Sequence, residues 1–174
     1  MLKPILKSSM FLITFLIFSI TDLSAQKCKF DFDKEDPISN ERVRRNIYKL
    51  KKQAFTVSYY RKKDEYKLEL NILFAGTRNF NVTTSDQLVL KLENGETITV
   101  YPSKEFSPVS QATGAGVLTV FAISYNATQE QFELLASSGV THARSNMGGQ
   151  SFDVPVKAKM GEKMKQGANC ILED

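Results

Sequence analysis

The chain has one histidine and two cysteines, and these limit the side-chain chemistry open to it. Any nucleophile–histidine–acid arrangement would have to use His142. No Gly-x-Ser-x-Gly segment accompanies it, so it reads as a strand histidine with no catalytic role. Cys28 and Cys170 have no second Cys or His nearby, as a metal site would require, and they read as a disulfide pair. Asp31, Asp33, Glu35 and Asp36 crowd together. A calcium loop would add a glycine turn and a distal glutamate in register, and neither is there. The cluster reads as a solvated acidic lead-in, or as a segment lying against the basic stretch that follows. Gly114-Ala115-Gly116 leads into a strand, whereas the dinucleotide fingerprint leads from a strand into a helix. Catalytic, cofactor and metal residues are therefore read as none.

The second chemical feature is charge. Between Arg42 and Lys63 lie nine basic residues, Arg42, Arg44, Arg45, Lys49, Lys51, Lys52, Arg61, Lys62 and Lys63, with no acidic one. Tyr48, Phe55, Tyr59 and Tyr60 lie among them. Such a segment can attract an anionic polymer or membrane surface through its field and through counterion release. Its tyrosines could stack on rings. On strands, however, successive residues point to opposite faces, so the nine charges cannot share one face. A solvated hairpin that keeps an edge soluble is the plainer reading.

Compartment follows from the amino terminus. Lys3 and Lys7 precede an apolar run, Met10 to Ile20, broken only by Thr14 and Ser19. The polar segment Thr21-Asp22-Leu23-Ser24-Ala25 follows and ends on a small residue. This is the order of a signal peptide cleaved after Ala25. The run falls short of the about 20 apolar residues that span a bilayer. Gln26 and Lys27 separate Ala25 from Cys28, so lipid attachment at that cysteine is not expected. Residues 26–174 then form one globular domain with no transmembrane segment. With Lys3, Lys7 and Asp22 removed, 21 basic and 18 acidic residues remain. Export to the periplasm, cell surface or extracellular space favours pairing of Cys28 with Cys170. The Asn81-Val82-Thr83 and Asn126-Ala127-Thr128 sequons matter only in a host that glycosylates.

The positioning elements read as follows. Cys28 to Asn40 is an irregular lead-in. Residues 42–50 fit either a helix or a strand, with the balance toward strand. Phe55, Val57 and Tyr59 alternate with polar residues, as do Tyr66, Leu68, Leu70, Ile72 and Phe74, which gives a hairpin with one wet face. Leu88, Leu90 and Leu92 precede Asn94-Gly95, with Ile98 and Val100 beyond. A three-residue loop, Glu93-Asn94-Gly95, pairs Leu90 with Ile98 and Leu88 with Val100 and keeps the apolar face continuous. Residues 102–116 read as a long mobile loop. Val117 to Tyr125 reads as a central strand buried on both faces. Thr128 and Gln131 have capping-box spacing ahead of Phe132, Leu135 and Ala136, and Gly139 ends that helix. Val140–Arg144 and Ser151–Val156 are short strands. A last helix spans 157–172, weakened by Gly161 and Gly167 and so dependent on tertiary support. The fold class is α+β, a mostly antiparallel sheet of about six to seven strands with one internal and one C-terminal helix.

The Leu23-Ser24-Ala25-Gln26 junction resembles that of exported Bacteroidetes proteins. Leu88 to Glu96, Thr128 to Gly139 and the ending Asn169-Cys170-Ile171-Leu172 resemble small secreted proteins of that group without an assigned role. The resemblance implies an exported protein and transfers no catalytic residue.

Function is expected to be that of an exported, non-catalytic binding or structural protein of the cell envelope, meeting a partner through a sheet face or the 102–116 segment. One alternative is a binder of anionic polymers or surfaces through residues 42–63. The other is a small enzyme using a pocket near His142 or the acidic lead-in.

Overall fold

The computed structural model describes residues 28–51 and 54–173. The signal-peptide reading of residues 1–25, and Lys52 of the basic stretch, lie outside them. Among the described residues, ten strands and two helices follow in the order β1 (Phe32–Glu35), β2 (Arg42–Lys51), β3 (Phe55–Lys62), β4 (Glu65–Ala75), β5 (Gln87–Leu92), β6 (Thr97–Val100), β7 (Val109–Thr113), β8 (Gly116–Ala127), α1 (Gln129–Ser137), β9 (Val140–Met147), β10 (Gln150–Pro155) and α2 (Ala158–Leu172). They form two antiparallel sheets, one ordered β1-β2-β3-β4-β8-β7 and the other β10-β9-β5-β6. The architecture is α+β and mostly antiparallel, with ten strands in two sheets where six or seven were expected.

Period-two alternation builds the first sheet. Its inner face carries cross-strand rows: Tyr48–Val57–Leu70–Ile123 in one, Asn46–Tyr59–Leu68–Tyr125 in the next. Burying each such large apolar side chain is worth about 1.5–3 kcal/mol. The next row is Arg44–Arg61–Tyr66–Ala127, so the inner face turns cationic at one end of the sheet. In the second sheet Leu90 pairs with Ile98 and Leu88 with Val100, the register expected from a continuous apolar face. Gly95 sits at φ +91°, where a side chain would be strained. Phe74 of β4 meets Phe152 of β10, with ring centroids 5.0 Å apart, and the buried residues of both sheets and both helices form one cluster.

Both helices lie in the segments expected of them, but α1 ends on an extended Ser138 and Gly139 is not a left-handed cap. Thr128 Oγ1 accepts the N–H of Gln131, and Gln131 Oε1 accepts the N–H of Thr128, a reciprocal cap. Phe132 and Leu135 are buried. In α2 the buried residues are Gly161, Met164, Gly167, Ala168 and Ile171. A β-carbon on Gly161 would stand 2.3 Å from the carbonyl oxygen of Val140. That glycine, a weak point when the helix is judged alone, is what lets α2 lie this close to β9. The Cys28–Cys170 disulfide, with Cα atoms 5.4 Å apart, ties the end of α2 to the segment ahead of β1.

Three local expectations change, and one open reading resolves toward the strand it favoured. Residues 32–35 of the supposedly irregular lead-in form β1, all four exposed, so no apolar alternation announced them. The ambiguous residues 42–50 are strand. The segment 102–116 contains β7, and Pro102 and Phe106 make single bridges to Tyr125 and Val82, so it is not a long unstructured loop. β8 is buried on one face only: Phe121, Ile123 and Tyr125 are inside while Ala122 is exposed.

Candidate functional site

The pleat divides the basic segment between two faces and two tasks. On the inner face, Arg44 and Arg61 stand directly opposite each other on β2 and β3. Both reach the C-terminal end of α2. Arg61 Nη1 lies 2.9, 3.0 and 3.1 Å from the carbonyl oxygens of Ile171, Leu172 and Glu173. Arg44 donates to the Glu173 carbonyl. A helix ends with unpaired carbonyls and a partial negative charge, and two guanidiniums there satisfy both. Each is also stacked, Arg61 over Tyr66 at 5.3 Å and Arg44 over Phe30 at 5.4 Å.

The acidic lead-in supplies partners for much of the remainder. β1 pairs antiparallel with the start of β2, which sets Asp33 beside Arg44 and Glu35 beside Arg42. Arg42 holds Asp33 in a two-pronged pair, Nε at 2.7 Å and Nη2 at 2.6 Å. The Arg42 hydrogen bond holds the Asp33 carboxyl below its ordinary range. Lys62 reaches Asp36 at 2.8 Å and Glu41 at 3.5 Å. The Asp36 carboxyl is brought down to about 2, first by Lys62 and then by the N–H groups of Ile38 and Ser39. On the outer face Arg45 pairs with Glu69 at 3.0 Å. Asp31, Asp33, Glu35 and Asp36 thus lie against the basic stretch. Among the described residues no group of three or more His, Cys, Asp or Glu side chains is placed to hold a metal ion.

Several of these same groups, joined by Lys63, also border a small concavity. Glu41, Arg42, Arg44, Arg61 and Lys63 line a cavity of about 270 Å³ at the cationic end of the inner face. Lys49 and Lys51 are exposed and do not line it. A larger groove of about 600 Å³ runs between β2 and α2, lined among others by Asp31, Asn46, Tyr48, Met160, Lys163 and Gly167. The Tyr48 hydroxyl is buried beside this groove with Asn46 as its polar neighbour, and burial pushes its pKa up.

His142 stands exposed on the outer face of the second sheet, opposite Lys91 on one side and Pro155 on the other. No carboxylate or nucleophile among the described residues hydrogen-bonds to it. The three-residue segment Gly114-Ala115-Gly116 turns β7 into β8, with Gly116 at φ +118° and Thr113 Oγ1 donating to the Gly116 carbonyl. The hairpin that turn closes is the feature the sequence reading missed. All of β7 is exposed, and Val117 and Leu118 of β8 are more than a third exposed. The signal was present as an absence: from Phe106 to Gln129, 24 residues carry no charge, in a chain that is 24% charged.

No helix among the described residues is long and apolar enough to cross a membrane. Comparison with protein-family models, with curated proteins and with solved structures gives no match.

Proposed function

We propose that this chain is an exported, non-catalytic binding module of the cell envelope that docks through the β7–β8 hairpin. One observation carries the reading: β7 is a fully exposed strand at a sheet edge within a long uncharged stretch. Proteins normally guard such edges with charge, proline or cover, because unpaired N–H and C=O groups template pairing with another strand. The Cys28–Cys170 bridge is in keeping with an oxidising compartment, and the likeness of residues 23–26 to exported Bacteroidetes proteins points the same way. A photo-crosslinking residue at Ala112, compared with one at exposed Thr97, tests the docking element in native cells. Discrete adducts at 112 alone are expected; equal labelling at both positions, or none at 112, overturns it. Export is tested by the intact mass of the native protein, which should lack Met1 to Ala25.

A second reading rests on the cationic cavity. Arg42 and Lys63 flank it, and an anionic polymer or membrane surface could bind there. Arg42→Ala and Lys63→Ala together should lower the salt needed to elute the protein from an anionic column. Elution unchanged from the parent removes this reading. Arg44 and Arg61 are unsuitable for the test because they hold α2.

A further inference from the structure

The two sheets have four edges, and three are guarded. β1 presents Asp33, Lys34 and Glu35 in alternating sign. β10 carries the Arg144–Asp153 ion pair at its border with β9 and closes on Pro155. At β6 the Thr99 carbonyl accepts Gln131 Nε2 of α1 at 3.1 Å, and the chain beyond turns to bridge Tyr125 through Pro102. Charge, proline and a covering side chain are the usual means of blocking a strand edge. Within β7 there is none of them: Val109-Ser110-Gln111-Ala112-Thr113 is uncharged and wholly exposed, with Val109 at 68%, and Pro108 lies just before the strand and leaves its length uncovered. Among the described residues β8 is its only strand neighbour.

We infer that β7 pairs antiparallel with β7 of a second copy of this chain about a twofold axis at Gln111, joining the two six-stranded sheets. The inference rests on the docking reading above and names its partner. A second copy fits for two reasons. The first is register: with Gln111 on the axis, all five residues find a partner, Ser110 facing Ala112 and Val109 facing Thr113. Outside the strand the same rows continue, because Gln111 lies beside Leu118 and Val109 beside Val120 within each copy. A row Leu118–Gln111–Gln111–Leu118 would then cross the junction. The second is charge. Two copies carry the same net positive charge and approach at least cost where neither presents any, and an edge without charge offers an oppositely charged partner nothing to select. Twofold pairing of one patch with itself is the commonest form of self-association. A five-residue ladder is smaller than the about 800 Å² per partner typical of stable interfaces, so the dimer is weak and concentration-dependent.

Sedimentation equilibrium of the oxidised chain 26–174 across the micromolar range tests this. The apparent mass should rise from monomer toward dimer. Gln111→Lys and Gln111→Glu place like charges opposite one another at the axis, and each alone should weaken association by about two- to fivefold. Mixing the two variants should restore it. Position 111 is exposed, so thermal unfolding should match the parent and confirm that both variants fold. Amide exchange at 109–113 should slow with concentration while that at 32–35 does not. A parent that stays monomeric throughout, a dimer without protection at 109–113, or undiminished association of Gln111→Lys overturns the inference. Ala112 adducts to a different protein, with a monomer in solution, would remove the second copy and leave the docking reading standing.

Discussion

The hydroxyl of Tyr48 fills the space that a β-carbon on Gly167 would need: the two positions are 1.6 Å apart. Tyr48 in turn stacks edge-on against Tyr59, with ring centroids 4.8 Å apart. Gly167 is therefore the point where α2 closes on the first sheet.

Gly167→Ala sets two effects against each other. Alanine favours the helix by about 1 kcal/mol, whereas overpacking a fitted core costs about 1–3 kcal/mol. Because a buried, stacked ring must shift, net destabilisation is expected by urea unfolding. Tyr48→Phe should recover part of the loss, because the ring carbon at 2.9 Å remains close. In the parent, Tyr48→Phe should be close to neutral, since the hydroxyl it removes is buried and has no well-aligned hydrogen bond. Gly161→Ala should not be recovered by Tyr48→Phe, as it meets the Val140 backbone instead.

Acid should loosen the junction of β1 with β2 and β3. The folded Asp36 carboxyl sits at about 2, below its ordinary 3.8. A depressed carboxyl contributes stability that is present above the unfolded value and is lost as pH falls through the folded one. The loss should therefore fall between about pH 4 and pH 2. Lys62→Met should raise the Asp36 midpoint toward the ordinary range in a carboxylate NMR titration; an unmoved midpoint would show that Lys62 is not the cause.

Removing the disulfide should cost more than any single contact described above. Cys28 and Cys170 are 142 residues apart, and closing so long a loop is worth roughly 4–5 kcal/mol in the chain-entropy account. Cys28→Ser with Cys170→Ser should lower the denaturant midpoint accordingly. A midpoint equal to the parent's would mean that other contacts alone hold the ends.

Arg61→Met should unravel the last turn of α2 first. It removes the group nearest three terminal carbonyls while keeping most of the side-chain length. A loss of about 1–3 kcal/mol is expected, with amide exchange accelerating at the end of α2 before the middle of β4. Uniform acceleration would instead indicate a global effect.

The sequence by itself determined those features whose signal is local and apolar. Leu88, Leu90, Ile98 and Val100 fix their own register, because a slip by one residue would turn the buried face outward. Thr128 and Gln131 set the start of α1 through bonds spanning three residues. Cys28 and Cys170 had only each other. Tertiary structure decided the rest, for a physical reason. β1 and β7 are exposed along their whole length, so burial writes no alternation into them, and only a neighbouring strand makes them strands. The basic segment looks like one charge run in the chain. The pleat and a helix end 110 residues away from Arg61 turn two of its arginines into a cap, because electrostatic partners are chosen by distance in space, on which sequence separation is silent.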